Sequence, residues 1–183
     1  VLYPGNGQDQ HELLRNADAA MYHAKRVGKN GYSFFDASMN SNARQQLQLL
    51  QDLRLAVAAG QFRLHYQPKF DAKRCQPVGA EALLRWEHPQ HGLLAPDRFI
   101  DLAEKTGLII PIGDWVLDEA CRQMRLWLDE GIEGWRIAVN LSAIQFCHAG
   151  LLDSVARALE RHALPANCLT LEITETTAMS DVE

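Results

Sequence analysis

No two of the four cysteines, Cys75, Cys121, Cys147 and Cys168, form a CxxC pair, so neither a structural zinc site nor a redox dithiol is indicated. Scattered cysteines of this kind predict free, buried thiols in a reducing compartment. A basic excess is missing too. The net charge of −5 speaks against a nucleic-acid polymer as partner, which usually selects for a basic surface. A small anionic ligand stays compatible, because a metal or a few local cations can reverse the field around a site. No apolar run approaches the roughly 18 residues that cross a bilayer, and no signal-peptide pattern opens the chain. Low-complexity tracts and internal repeats are also lacking. What is left is an ordinary globular composition in a chain long enough to bury a core.

The ends carry their own expectation. The chain starts at Val1, on a strand-like remnant and the turn Pro4-Gly5-Asn6-Gly7, and it stops just after Ser180-Asp181 would begin a helix. Both ends read as cuts. A cytoplasmic location is expected for this piece, and its parent could still be membrane-anchored through segments upstream.

Periodicity divides the rest. Leu13, Leu14, Ala17, Ala20, Met21 and Ala24 recur at spacings of three and four, which predicts a helix over Asp9–Val27 with one buried face and a stop at Gly28. Gly31-Tyr32-Ser33-Phe34-Phe35 reads as a short aromatic strand. A second helix is expected over Ser41–Ala59, with Leu47, Leu50, Leu53 and Val57 on one stripe. It could be a linker or the first packed helix of the next domain. Strands are then expected at Arg63–Phe70, Val78–Trp86, Arg136–Ser142 and Leu169–Thr174. Helices are expected at Pro96–Lys105, Asp114–Glu130 and Leu151–Ala163. In the long helix Leu117, Cys121, Met124 and Leu128 make a stripe, with Trp127 beside it. Strands alternating with helices argue for an α/β fold with a parallel sheet or barrel.

The polar residues inside these strands carry the chemical signal. By the two-residue period Gly79, Glu81, Leu83 and Arg85 share a face. Ile137, Val139 and Leu141 oppose Ala138, Asn140 and Ser142, and Leu169, Leu171 and Ile173 oppose Thr170, Glu172 and Thr174. Each strand thus sends large aliphatics one way and small residues plus one acid or amide the other. Glu81, Asn140 and Glu172 fall near the C-terminal parts of successive strands, the end at which a (β/α) barrel keeps its active site. Two carboxylates and an amide oxygen suit hard divalent cations, and a carboxylate in an apolar strand is costly unless paired or metal-bound. Plainer roles are open for each: an ion pair of Glu81 with Arg85, a loop cap for Asn140, a solvated acidic edge for Glu172 with Glu175.

At these residues the sequence closely resembles the EAL-domain family of bacterial cyclic di-GMP phosphodiesterases. The matching segments are Tyr66-Gln67-Pro68, Gly79-Ala80-Glu81-Ala82-Leu83-Leu84-Arg85-Trp86, Pro96-Asp97-Arg98-Phe99-Ile100, Ala103-Glu104-Lys105-Thr106-Gly107, Val139-Asn140-Leu141-Ser142 and Leu171-Glu172-Ile173-Thr174-Glu175. They run in order from about Gln46 to the end. Upstream, Asn16-Ala17-Asp18-Ala19-Ala20-Met21-Tyr22, Ala24-Lys25 and Gly28-Lys29-Asn30 resemble the end of a GGDEF (diguanylate cyclase) domain. The resemblance implies a tandem GGDEF–EAL parent, with residues 1–37 as the GGDEF remnant, 38–60 as linker or first helix, and 61–183 as the first half of the EAL domain.

The same resemblance implies a modified TIM-type (β/α)8 barrel with one strand reversed, and a bacterial second-messenger role. Glu81, Asn140 and Glu172 would be ligands of a two-metal Mg²⁺ or Mn²⁺ site. Gln67 and Arg85 would contact the phosphodiester of cyclic di-GMP, and Pro96 would help seat a guanine. Glu175 would brace the loop that completes the site. The parent would hydrolyse cyclic di-GMP to linear pGpG, and could pair with itself through the EAL domain. A complete barrel needs about 250 residues. The family's paired aspartates, later lysine and further Glu and Gln positions would lie beyond Glu183, so this chain is expected to hold half a site and to be inactive alone. The GGDEF signature is missing as well. The rivals are an EAL receptor that binds cyclic di-GMP without cleaving it, and a metal hydrolase barrel for another substrate.

Overall fold

The computed structural model describes residues 1–27 and 31–173. The chain forms two compact units, Val1–Asp52 and Leu53–Glu183. In the first, helix α1 spans Gln10–Val27. Its start is fixed by reciprocal bonds: the Asp9 carboxylate accepts from the Glu12 amide at 2.7 Å, and the Glu12 carboxylate accepts from the Gln8 amide at 3.0 Å. Buried Asn16 donates to the Asn6 carbonyl. The expected buried stripe of α1 is only partly covered. Ala20 is buried, whereas Leu14 and Met21 are more than half exposed. Nor do residues 31–35 form a strand. They run without regular structure, with Tyr32 and Phe34 exposed and their rings edge to face. A strand needs a neighbour to satisfy its backbone, and the described residues of this unit offer none. Helix α2 covers Ala37–Ala56, earlier at both ends than its periodicity suggested. Leu53 and Ala56 are buried near its end, while Leu47 stays exposed. Gly28 to Asn30 lie outside the described residues.

The second unit is built on strands β1 (Phe62–Asp71), β2 (Gln76–His88), β3 (Gly92–Leu94), β4 (Arg136–Leu141) and β5 (Leu169–Ile173). The sheet order is β1-β2-β4-β5, with β3 added to the end of β2. β1 and β3 run antiparallel to β2, whereas β2, β4 and β5 are parallel. The sheet is therefore mixed. A hairpin leads into parallel crossovers, the first through α3 (Ile100–Thr106) and α4 (Ile109–Asp129), the second through α5 (Ala143–Phe146) and α6 (Leu151–Arg161).

Alternation decides what is buried. Ile137, Val139 and Leu141 of β4 are all buried, as are Ile112, Val116, Leu117, Ala120, Cys121 and Met124 of α4. At one end of the core, Phe62, Trp86, Phe99 and Trp115 pack with ring centroids 5.5–6.0 Å apart. Phe99 also interrupts the helix expected from Pro96. A short 3₁₀ turn, Pro96–Arg98, is followed by Phe99 at φ −140°, and the α-helix begins only at Ile100. Drawing this ring fully into the core outweighs helical continuity. The long helix starts before Asp114 because Pro111 sits in its first turn, where the missing N–H has no intrahelical partner to lose. Cys121 and Cys168 are buried as expected, but Cys75 and Cys147 are exposed.

One glycine sets the seam of the sheet. Only Gly79–Ala82 of β2 pair with β4, through Arg136–Val139. A Cβ at Gly79 would stand 2.1 Å from the Arg136 carbonyl oxygen, so any side chain there forces the strands apart. Gly79→Ala is expected to lower stability by about 1–3 kcal/mol, the usual range for overpacking, read as a reduced urea midpoint. On the opposite face Tyr66 packs against Trp127. Its phenol is pushed up to about 12, first by burial and then by the Glu119 carboxylate, with Arg122 opposing. A phenol held above its ordinary value stabilises the fold fully below about pH 10 and loses that contribution as pH rises toward about 12. Tyr66→Phe should therefore flatten the alkaline fall in stability over that window, measured by denaturation at stepped pH.

Candidate active site

The face of the sheet opposite α4 gathers most of the polar strand residues. Gln67 lies directly across from Glu81. Glu81 pairs with Ala138, one alternation before Asn140, and Asn140 lies across from Glu172. Asn140 donates from Nδ2 to Glu81 Oε1 at 2.6 Å, a short, charge-assisted bond. That bond replaces the Glu81–Arg85 ion pair that spacing also allowed. Arg85 donates from Nη1 to the Leu84 carbonyl at 2.8 Å instead. The loop-capping role open to Asn140 falls to Ser142.

Glu81 is the sixth residue of thirteen in β2, not near the strand's end. Beyond Ala82, however, β2 has left β4 and pairs only with β1 and β3. Relative to the parallel part of the sheet, Glu81 does sit at the C-terminal edge. Arg85 lies four residues further on, about 13 Å along the strand at about 3.3 Å per residue. Pro96, half-buried, opens the turn after β3. The structure thus brings Gln67, Glu81, Asn140 and Glu172 together, and sets Arg85 and Pro96 further along the same rim. Glu175 lies outside the described residues.

Two further residues belong here. Lys69, two positions after Gln67 on the same face of β1, places its ammonium on the Glu172 carboxylate. Alternation along Gln67-Pro68-Lys69 carried that signal. Lys69 is on the first strand of the order and Glu172 on the last. Three flat strand spacings of about 4.8 Å would hold those strands about 14 Å apart, so the contact implies a concave face. Gln145 is the other. Its amide accepts from the Ser142 backbone at 3.1 Å, while the Ser142 hydroxyl accepts from the Gln145 backbone at 3.3 Å. This capping box was legible as Ser142-x-x-Gln145. Buried Gln145 also fills the place of a side chain at Gly113, where a Cβ would meet its Nε2 at 1.8 Å. The turn that follows β4 is thereby tied to α4.

The donor set suits a hard divalent cation. Glu81 and Glu172 supply carboxylate oxygens, Asn140 an amide oxygen on the side away from Glu81, and a cation already stands on Glu172 in the form of the Lys69 ammonium. Among the described residues no group of three or more His, Cys, Asp or Glu forms a metal cluster. No helix among the described residues is long and apolar enough to cross a membrane.

A model of the EAL domain family matches residues 50–183. The bifunctional diguanylate cyclase/cyclic di-GMP phosphodiesterase MucR of Pseudomonas aeruginosa is 66% identical over 183 residues, covering 100% of this chain and 27% of that protein. Cyclic di-GMP phosphodiesterase NbdA of the same organism is 43% identical over 182 residues, covering 100% of this chain and 23% of its own length. Among solved structures, a PaMucR phosphodiesterase in complex with c-di-GMP matches with a TM-score of 0.71 at 66% identity, over 73% of this chain and 54% of that one. The EAL enzyme Bd1971 in its cAMP- and cyclic-di-GMP-bound form matches with a TM-score of 0.70 at 28% identity, over 97% and 47%. The chain spans about a quarter of the length of these curated relatives.

The Lys69–Glu172 pair is partly exposed at both side chains. A double-mutant cycle of Lys69→Met and Glu172→Gln should return a coupling of about 0.2–1 kcal/mol. Urea unfolding at low and high salt should show that coupling shrinking as salt is added.

Proposed function

The chain belongs to the EAL domain family, and from that membership we propose that the protein of which it forms part hydrolyses cyclic di-GMP to linear pGpG. Family membership implies a mechanism that depends on divalent metal. The finer reading is a pair of Mg²⁺ or Mn²⁺ ions held in part by Glu81, Asn140 and Glu172. The observation that carries it is the convergence of these three side chains, with Gln67, on one concave face at the C-terminal edge of the parallel strands.

When bound, such cations would acidify a water and neutralise charge on the departing 3′ oxygen. The chain's own residues prepare the place. Asn140 holds the Glu81 carboxylate by its Nδ2 bond. Gln67, across from Glu81, can donate its amide to a phosphodiester oxygen. Arg85 commits one N–H to the Leu84 carbonyl, and its remaining donors form a fork suited to phosphate. Pro96, on the rim beyond β3, offers an apolar edge to a guanine. Glu175 is assigned to bracing the loop that completes the metal site.

Residues 1–37 are read as the end of a GGDEF domain, 38–60 as linker or first helix, and 61–183 as the first half of the EAL barrel. The match to about half of each solved relative supports a half site in this chain. The protein could dimerise through the completed EAL domain, and this part is assigned to the cytoplasm.

The full-length protein with Mn²⁺ should convert cyclic di-GMP to pGpG, followed by chromatographic separation of the nucleotides, and Glu81→Ala should reduce product to background. Tight binding without product under either metal would replace this reading with a receptor role. The 183-residue chain alone should yield no product, and clear turnover by it would overturn the half-site assignment.

A further inference from the structure

The Lys69 ammonium occupies the very carboxylate that the proposed site needs. Lys69 Nζ lies against Glu172 Oε1, bridging the first and last strands of the sheet. Both side chains are partly open to solvent, so the pair can exchange without unfolding its surroundings. Gly79, the cross-strand neighbour of Lys69, puts no side chain between the lysine stem and the rest of the face. Glu81, by contrast, is held by a neutral amide. Of the two acids, one is presented to an incoming cation by a dipole and the other is guarded by a full positive charge.

We propose that Lys69 is an internal counter-ion for Glu172, which stabilises the cation-free site and must withdraw before a divalent cation can bind there. This rests on the reading of Glu81, Asn140 and Glu172 as a metal site. The physical reason is direct. An ammonium and a divalent cation cannot share one carboxylate oxygen without strong repulsion, so whatever stabilises the pair is subtracted from metal affinity. Lysine suits such a task, being a compact charge on a flexible stem that can swing aside. The residue therefore sets the cation concentration at which the site fills.

The test is Mn²⁺ binding by the 183-residue chain, followed by the loss of the free-ion paramagnetic resonance signal. Lys69→Met should bind Mn²⁺ on the order of fivefold more tightly than the unmodified chain, the scale of losing an exposed ion pair. Lys69→Arg, which keeps the charge, should retain the weaker affinity. Circular dichroism of each variant checks that the sheet is formed. Equal or weaker binding by Lys69→Met would overturn the counter-ion role while leaving the metal site in place. If Glu81→Ala and Glu172→Gln failed to weaken Mn²⁺ binding, the metal reading would fall, and this proposal with it.

Discussion

Everything in the second unit depends on a short length of parallel pairing. Four residues of β2, Gly79 to Ala82, meet four of β4, Arg136 to Val139, and this is the seam between the opening hairpin and the two strands that follow. The approach across it is close enough that Gly79 has no room for a methyl group. The seam fixes register, and register fixes chemistry. A slip of one residue would turn Glu81 into the helix-covered face and expose an alanine in its place.

Once that register is set, the two faces of the sheet obey different rules. The face under α4 is a matter of volume: aliphatics of β4 against the stripe of α4, with four aromatic rings closing one end. The other face is a matter of charge. Its acids are satisfied one by one, Glu81 by an amide and Glu172 by an ammonium. Gln145 and Ser142 connect the two regimes, because the box that caps α5 also fills the notch at Gly113 of α4. The polar strand residues are thus positioned by the packed core beneath them.

Much of this could be seen in the sequence because the determining signals are local. Alternation in β2, β4 and β5 needs only neighbouring residues; strands and helices in series argue for a parallel sheet or barrel, and the family resemblance narrows this to a partial (β/α)8 barrel. What escaped was non-local. The aromatic segment at residues 31–35 has strand composition and no partner among the described residues. The helix after Pro96 breaks because Phe99 is wanted in the core, which no helix propensity reports. The stripe of α1 is apolar as its spacing indicates but only partly covered. Glu81, Asn140 and Glu172 stand out by their spacing and Gln67 by the family resemblance, but that Glu81 bonds Asn140 and not Arg85, and that Lys69 reaches Glu172, depends on the curl of the sheet.

That curl has a geometric consequence. The strands from β1 to β5 trace an arc, and the Lys69–Glu172 contact is a chord drawn between its ends. A tie so weak marks the arc without making it, because the bow of the sheet comes from strand pairing and the packed core. The face can therefore lose its chord and keep its width.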